Sequence, residues 1–330
     1  MKVLIVNNTV LPAAKYGGTE RVIWDLGKAL SLLGHKVYYL VGKGSHCPFA
    51  EKVLEYNPSV PVGTQIPDEV DVVHFNFEPD SEIKKPYIVT LHGNINHEHT
   101  FDKNTVFISA NQAKRYNGYT FVYNGLDWSN YEPVQLNSEK KYCHFLGAAA
   151  WKVKNVKAAI SISKKAEEKL VVLGGHRLNF RMGFRFTPDL HVSFKGMVND
   201  AQKQACIQQS KGLIFPVLWH EPFGLAIIES MYLGAPVFGT PYGSLKELIT
   251  PETGIVSANE HILVEAVQDA GRFKSSICHQ YAEAYFNATV MAKNYLTLYG
   301  EVLNGKSIHN TPPYISSENI QREKYLEFKP

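Results

Sequence analysis

Residues 219–229 combine the residue types that a binding site for a phosphorylated ligand requires. A short apolar run at residues 212–216 precedes them and predicts a buried strand, and a helical pattern follows until Gly234. Gly224 allows the backbone to approach a ligand, and the N–H groups of the first helical turn face an anion there. Glu229, about one turn into the helix, can accept hydrogen bonds from hydroxyl groups, as a ribose offers. Taken alone, the same residues are equally consistent with an ordinary helix start and a solvated acid.

The composition limits the class of protein. The chain has 330 residues, enough for two domains with separate cores, and its 45% hydrophobic content is that of a soluble globular protein. A net charge of +3 is too small to indicate nucleic-acid binding and allows at most peripheral contact with an anionic membrane. No apolar run approaches a membrane span, and residues 1–6 are too short for a signal peptide, so we expect a cytoplasmic protein. The four cysteines are widely spaced, which predicts buried free thiols in a reducing compartment.

The first half of the chain predicts a parallel α/β sheet. A helix with Thr19 as its expected N-cap and Gly34 at its end separates two apolar strands. Strands are predicted at residues 1–6, 37–41, 70–75, 87–91, 106–109 and 120–123. Short apolar strands of this kind are buried on both faces, and ligands bind beyond their carboxyl ends.

Two features of this half lie at that edge of the predicted sheet. Gly17 and Gly18 precede the first helix, where they could hold an anion or form a tight turn. His92 directly follows a predicted strand and could face a ligand or, as lone histidines more often do, satisfy a backbone carbonyl. The spacing of His92 to the histidines within residues 97–99 fits no metal-ligand pattern, so no metal site is predicted.

The second half repeats the pattern. Residues 128–140 are polar and contain proline, which predicts a linker and a division into domains 1–138 and 139–330. Strands are predicted at residues 142–147, 170–175, 192–198, 212–216 and 237–239. From Glu260 onward the pattern is helical, with an apolar stripe that includes Tyr295 and Tyr299 and that we interpret as core.

Several short motifs resemble retaining glycosyltransferase family 4 in order and spacing over most of the chain. The motifs are Glu221-Pro222-Phe223-Gly224-Leu225 with Glu229, Gly234-Ala235-Pro236-Val237, Gly243 with Glu247, Gly17-Gly18-Thr19-Glu20, and Asn124-Gly125-Leu126-Asp127. The resemblance implies an α/β protein of GT-B fold, with two doubly wound Rossmann-like domains facing a central cleft. The first domain would lie on the acceptor side and the second would bind a nucleotide sugar. Family members return a C-terminal helix or tail to the first domain.

The resemblance also implies roles for these residues. Glu221 and His92 would lie beside the donor sugar, and Glu229 would bind the nucleotide ribose. The backbone of the Phe-Gly-Leu segment (223–225) would cradle the diphosphate. The Gly-Gly pair (17–18) would face the donor phosphate and the acceptor.

One cation of the family is absent from its expected place. A departing diphosphate accumulates negative charge, which a fixed ammonium or guanidinium stabilises. The family places an arginine directly after the glycine of the strand at 142–147, but this position is Ala148. Both Lys152 and Lys154 lie in the window for the family's lysine, and Lys154, which directly precedes Asn155 and the expected helix, matches it better.

Other positions are candidates for binding the nucleotide. The segment that contains Arg177, Arg181 and Arg185 could replace the absent arginine, although surface charge is an equally good interpretation. The turn at Gly174 and the backbone of Val198 would approach the base, according to the resemblance.

The sequence thus predicts a retaining glycosyltransferase that moves a sugar from a UDP-, GDP- or ADP-sugar to a saccharide or lipid-linked glycan, in surface polysaccharide or glycoconjugate synthesis. No cofactor or metal is expected, because fixed cations and the helix start take that part in GT-B enzymes. We expect the protein in the cytoplasm, or at the inner face of the membrane. Two alternatives stay open: a GT-B epimerase of nucleotide sugars, and a catalytically silent nucleotide-sugar-binding subunit, which Ala148 motivates.

Overall fold

The computed structural model describes residues 1–12, 17–180, 182, 184–323 and 326–329. Within them the chain separates into two compact units, Met1–Trp128 with Tyr285–Ile320, and Ser129–Ala284 with Gln321–Pro330. Each unit contains a parallel sheet flanked by helices, so the prediction of two Rossmann-like α/β domains is confirmed.

The elements follow one another in alternating order. The strands are β1 (Lys2–Val6), β2 (Lys36–Val41), β3 (Lys52–Glu55), β4 (Val72–Phe75), β5 (Tyr87–Leu91), β6 (His99–Thr100), β7 (Thr105–Phe107), β8 (Tyr142–Leu146), β9 (Leu170–Leu173), β10 (Leu178–Asn179), β11 (Arg185–Phe186), β12 (Val192–Phe194), β13 (Ser210–Phe215), β14 (Val237–Gly239), β15 (Gly254–Val256) and β16 (Tyr314–Ile315). The α-helices are α1 (Gly18–Leu32), α2 (Ala110–Arg115), α3 (Val156–Lys165), α4 (Asp200–Gln208), α5 (Leu225–Tyr232), α6 (Leu245–Leu248), α7 (Glu260–Gln268), α8 (Ser275–Tyr285), α9 (Ala288–Leu303) and α10 (Ser317–Glu323).

The sheet of the first unit has the order β3-β2-β1-β4-β5-β7, and its strand pairs are parallel. The strand order reverses between β1 and β4, where a doubly wound sheet binds its ligands. Helix α9 packs on β4 and β5, and its Tyr295 and Tyr299 are buried, as the apolar stripe predicts. The Tyr299 hydroxyl lies 2.7 Å from Nδ1 of His74, and burial lowers the pKa of His74 to about 3. This helix is therefore part of the core of the first unit.

Two predictions of local structure in this unit are wrong. Helix α1 begins at Gly18 with Gly17 as its N-cap, not Thr19, because the carbonyl of Gly17 already accepts the N–H of Arg21 at 3.1 Å. Residues 120–123 do not form a strand; they make an isolated bridge between Phe107 and Phe121. The chain then leaves the sheet edge, since Leu126 donates its N–H to the carbonyl of Phe286 instead.

The sheet of the second unit has the order β12-β9-β8-β13-β14-β15, again with parallel pairs. Its order reverses between β8 and β13. Buried His144 on β8 fixes α5 to this sheet: its Nδ1 lies 2.7 Å from Ser210 Oγ and its Nε2 lies 2.9 Å from Ser230 Oγ. The helix that follows the glycine-bearing loop is therefore held directly beside the point of reversal.

The cysteines are free thiols, and the prediction of buried thiols is confirmed for Cys47, Cys143 and Cys278, whereas Cys206 is only partly buried. Burial raises the pKa of Cys143 to about 12. No helix in the described part of the chain combines the length and the hydropathy of a membrane span.

Candidate functional site

An ion pair between Lys154 and Glu221 stands at the reversal point of the second sheet. Lys154 follows β8 and Glu221 follows β13, so both leave the carboxyl edge of adjacent strands. The Nζ of Lys154 lies 2.6 Å from Oε2 of Glu221, and both side chains are largely buried. Trp219 donates its indole N–H to the same oxygen at 2.7 Å. Since Oε1 receives neither of these donors, it is the oxygen that can accept a hydroxyl of a ligand.

Aromatic rings surround the ammonium of Lys154. Its Nζ lies 4.7 Å from the centre of the Trp219 ring and 5.2 Å from that of Phe215, which are cation–π distances. Trp151 meets Trp219 edge to face at 6.3 Å. The rings fix the position of the charge and exclude water from one side of it, which strengthens its field toward an anion.

Backbone hydrogen bonds join the two loops that carry this pair. Leu218 donates its N–H to the carbonyl of Val153 at 2.7 Å. Asn155, in the left-handed region at φ 53°, donates its side-chain amide to the carbonyl of Pro216 at 2.9 Å and caps α3. These hydrogen bonds fix the two loops to each other, and the ion pair is a further contact between them.

The loop after β14 holds the backbone of Glu221 in place through hydrogen bonds. Ser244 donates its N–H to the carbonyl of Glu221 at 2.9 Å and its hydroxyl to the carbonyl of Phe223 at 2.5 Å. Gly243 has φ 64°, and a Cβ there would lie 2.2 Å from the carbonyl oxygen of Glu221. Only glycine fits this contact, which explains in physical terms why a glycine stands at this place in the motif.

Helix α5 starts directly after this loop, as the sequence predicts. Gly224 is its N-cap at φ 89°, and a side chain there would be strained and would approach Ile227 Cδ1 at 2.8 Å. Residues 224–226 are partly exposed, and the N–H groups that open a helix have no acceptor within it, although the N–H of Ile227 is already donated to the carbonyl of Gly224 at 2.9 Å. Phe223 is buried, and Leu225 is the first helical residue. The helix start can therefore receive an anion with its backbone.

Glu229 is buried in α5 and paired with a cation. Lys203 on α4 lies 2.6 Å from Oε1 of Glu229, and Tyr131 donates its hydroxyl to the same oxygen at 2.6 Å. Lys203 also contacts the exposed Asp200 at 2.8 Å. A carboxylate held by two donors has a fixed orientation, but one of its oxygens is already engaged within the unit.

The remaining candidates of the second unit differ in exposure. Lys152 lies in the same short 3₁₀ turn as Lys154 but is exposed, so the structure brings Lys154 and not Lys152 to Glu221. Gly174 donates its N–H to the carbonyl of Gly196 at 2.7 Å, close to the end of β9. Val198 is partly exposed in the loop before α4.

The side chain of Arg177 is held in the second unit by backbone carbonyls of that unit. Its guanidinium donates to the carbonyls of Thr187 (2.6 Å), Asp189 (3.0 Å) and Val192 (2.6 Å). These contacts account for its position without a ligand. Arg185 donates to Thr187 Oγ1 at 2.9 Å, whereas Arg181 lies outside the described residues.

In the first unit, Asn76 determines which ring nitrogen of His92 carries the proton. Asn76 Nδ2 donates to the carbonyl of Val6 at 3.0 Å, so its Oδ1 faces His92 Nε2 at 2.8 Å. A carbonyl oxygen can only accept, which makes Nε2 the protonated nitrogen and leaves Nδ1 as an acceptor. Burial lowers the pKa of His92 to about 4, so the ring is neutral near pH 7. His92 is thus suited to accept a hydrogen bond from a hydroxyl.

The glycine pair lies at the reversal point of the first sheet. Gly17 caps α1 and Gly18 is its first residue.

Among the described residues, no group of three or more His, Cys, Asp or Glu side chains is arranged to hold a metal ion.

The sequence did not reveal four partners of the candidate residues: Trp219, Lys203, Tyr131 and Asn76. Asn76 could have been found, because it follows β4 as His92 follows β5, and polar residues at neighbouring strand ends meet at one edge. Lys203 and Tyr131 carry no such signal, since one sits in an ordinary helix and the other in the predicted linker.

Comparisons with known proteins agree with this architecture. Residues 128–272 match the family model of glycosyl transferases group 1. The chain is 23% identical to O-antigen chain mannosyltransferase C of Escherichia coli, over 93% of this chain and the full length of the relative.

Two solved structures share the fold. AviGT4, a glycosyltransferase involved in avilamycin A biosynthesis, superposes with a TM-score of 0.74 at 19% identity, over 92% of this chain and 98% of that one. The Anabaena protein Alr3699/HepE, in complex with UDP and glucose, superposes with a TM-score of 0.62 at 14% identity, over 91% of this chain and 99% of that one. The fold is therefore GT-B, and the comparisons together support a GT-B glycosyltransferase.

Proposed function

We propose that this protein is a retaining glycosyltransferase of the family 4 type, which transfers a sugar from a nucleotide diphosphate sugar to an acceptor hydroxyl. The observation that carries the proposal is the Lys154–Glu221 pair beside the start of α5. A fixed ammonium and a helix N-terminus supply positive charge for a diphosphate, and the carboxylate supplies an acceptor for sugar hydroxyls.

In the proposed step, the bond between the anomeric carbon and the β-phosphate oxygen breaks. The acceptor oxygen forms a bond to the anomeric carbon on the same face, and the acceptor proton passes to the leaving phosphate. Charge therefore develops on the diphosphate as the bond breaks, and Lys154 and the N–H groups near Gly224 stabilise it. No side chain has to act as the base, and we propose that no metal takes part.

Glu221 has two functions in this proposal. Its Oε2 keeps Lys154 in place, while Oε1 accepts a hydroxyl of the donor sugar. His92, with Nδ1 as acceptor, and the Gly17-Gly18 backbone are proposed to contact the same donor. Glu229 is proposed to hold the ribose, with Lys203 and Tyr131 fixing its carboxylate.

The relatives support the class of substrate. HepE has been solved with UDP and glucose, and the Escherichia coli relative is named as a mannosyltransferase of O-antigen chains. We propose a nucleotide hexose as donor and a saccharide or lipid-linked glycan as acceptor, in surface polysaccharide or glycoconjugate synthesis in the cytoplasm.

A donor panel tests the function. UDP, GDP, ADP and their hexoses are first compared by thermal shift, since a bound ligand raises the melting temperature. The stabilising sugar nucleotide is then incubated with the protein alone, and NMR follows the products. Slow release of the nucleoside diphosphate and of a hexose with the donor's anomeric configuration is expected. An inverted hexose contradicts retention, an epimerised donor indicates the isomerase, and an unchanged donor indicates a silent subunit.

A further inference from the structure

A β-hairpin in the second unit presents an apolar face to solvent. Strands β10 and β11 pair antiparallel, with Leu178 opposite Phe186. Because directly opposite residues of an antiparallel pair lie on the same face, Leu178 and Phe186 share one face of the hairpin, and the described residues 180, 182 and 184 lie between them in the connecting turn. They are apolar and exposed: Leu178 (47%), Phe180 (74%), Met182 (61%), Phe184 (71%) and Phe186 (57%).

Arginines attach the opposite face of the hairpin to the unit. Arg185 donates to the carbonyl of His176 at 3.1 Å, and its guanidinium lies 5.2 Å from the ring centre of Phe194. Arg177 spans three backbone carbonyls near the base of the hairpin. Arg177 and Arg185 thus hold the base of the hairpin to the body of the unit, while its apolar side chains are exposed to solvent.

The hairpin is also cationic. Residues 176–187 contain three arginines, at positions 177, 181 and 185, and no aspartate or glutamate. The described partners of Arg177 and Arg185 are carbonyl oxygens and a hydroxyl, which satisfy the N–H groups without neutralising the charge. A partner of this face therefore has to combine an apolar interior with negative charge.

We infer that the exposed apolar side chains of this hairpin, at positions 178, 180, 182, 184 and 186, dock the protein on an anionic lipid bilayer. Aromatic side chains interleaved with arginine are typical of segments that lie at the membrane–water interface. The three phenylalanines leave roughly 400 Å² exposed, at about 200 Å² for a whole side chain, and Leu178 and Met182 add about 200 Å², so the surface stays below the roughly 800 Å² per partner in a standard protein interface. The area is too small for a stable dimer but sufficient for shallow insertion with electrostatic attraction.

The position of the hairpin relates it to the candidate site. It leaves the carboxyl end of β9 through Gly174, and β9 pairs with β8, whose carboxyl end leads to Lys154. The membrane contact and the ion pair therefore lie on the same edge of one sheet. A glycan carried on a lipid would meet this edge at the bilayer surface.

Vesicle flotation tests the inference with the full chain. The protein is mixed with vesicles of phosphatidylcholine and phosphatidylglycerol, or of phosphatidylcholine alone. The variant Phe180→Ser/Phe184→Ser is compared with Ile262→Ser/Ile277→Ser, which removes two exposed apolar side chains (45% and 39%) elsewhere in the same unit. The hairpin variant is expected to lose partitioning to anionic vesicles on the order of tenfold, because less apolar area is buried, and the control variant is expected to keep it.

The other outcomes are equally definite. Unchanged melting temperatures show that both variants fold. Equal binding to both kinds of vesicle, or equal loss in both variants, overturns the inference. A concentration-dependent dimer in sedimentation velocity that only the hairpin variant abolishes, without vesicle binding, assigns the face to a second copy of the chain and also overturns it.

Discussion

Lys154 and Glu221 are 67 positions apart in the sequence, yet their side chains meet at 2.6 Å where the strand order of the second sheet reverses. Each partner comes from the end of a different strand, and Trp219 shares the contact by donating to the same carboxylate oxygen. An incoming diphosphate would take the ammonium as a second partner without needing to move it. In the proposed function the pair is a diphosphate site that is already formed without the ligand, and its effect can be tested separately from that of nearby charges.

Replacing Lys154 by Ala should lower kcat about 100- to 1,000-fold, as the removal of one donor to a developing oxyanion does. Lys152→Ala is the matched control, because Lys152 lies in the same turn but is exposed. Initial rates of nucleotide release with the best donor measure both effects, and thermal unfolding checks that each variant is folded. Similar losses in both variants would mean that Lys154 has no special role.

The buried pair of Lys203 and Glu229 allows stability and ligand binding to be separated. Glu229→Gln removes the buried counter-charge of Lys203 and leaves only the exposed Asp200 beside its ammonium, so the free energy of unfolding should fall by about 3 kcal/mol, the lower end for a broken buried pair. Adding Lys203→Met should restore a large part of this loss, as chemical denaturation would show.

The same variants test whether Glu229 binds the ribose of the nucleotide. If Glu229 holds ribose hydroxyls, Glu229→Gln should weaken nucleotide binding by about ten- to a hundredfold, both alone and together with Lys203→Met. Lys203→Met alone should weaken it much less. Calorimetric titration gives the dissociation constants, and an unchanged constant in Glu229→Gln removes this residue from the ribose.

The hydrogen bond from His92 to Asn76 predicts a neutral ring across the physiological range. Burial lowers the pKa of His92 to about 4, so its NMR signal should not titrate between pH 5 and 8. Asn76→Asp places a carboxylate on Nε2, which favours the charged ring and should raise this pKa. Asn57→Asp, at an exposed position of the same unit, is the control. A His92 that titrates near 6.5 in the unchanged protein would falsify the assignment.

Asp25 in α1 predicts a pH dependence of stability. Burial raises its pKa from 3.8 to about 7, partly offset by the N–H that Asp127 donates to it. The stabilising contribution of the protonated acid is fully present below pH 3.8 and is lost as the pH rises through about 7. The shift corresponds to a loss of roughly 4 kcal/mol.

Asp25→Asn cannot ionise and should abolish this loss. Its advantage in free energy of unfolding over the unchanged protein should therefore grow between pH 4 and pH 8 by roughly the same amount. Denaturation curves at several pH values measure it. Parallel pH profiles for the two proteins would contradict the raised pKa.

The sequence predicted the fold where local patterns and tertiary packing agree. Residues 87–91 are apolar and coincide with β5, and the stripe of Tyr295 and Tyr299 is buried as the spacing indicates. The loop–helix junction at Gly224 was also predictable, because breakers and an apolar helix follow one another within a few residues. These features depend on short-range chemistry.

The partners of the site residues depend on long-range contacts, which one sequence does not display. Nothing near Lys203 points to Glu229, and only the fold brings α4 to α5. At the hairpin, the sequence pattern and the structure disagree. The alternation around Phe180 and Phe184 is typical of a strand with one face on a core, yet both phenylalanines are exposed. Thr19 was a sound capping residue by type, but the backbone of Gly17 begins the helix first.

The first unit is discontinuous, since Tyr285–Ile320 joins Met1–Trp128 only after Ser129–Ala284, most of the second unit, has been encoded. During synthesis on a ribosome, β4 and β5 emerge long before α9 can supply the tyrosine hydroxyls that contact His74 and Thr90. Until then, the polar side chains within this nascent sheet are without their final partners. The sheet of the second unit, which lies within Ser129–Ala284, is therefore expected to form before the first unit is complete, because the first unit needs α9 from near the end of the chain.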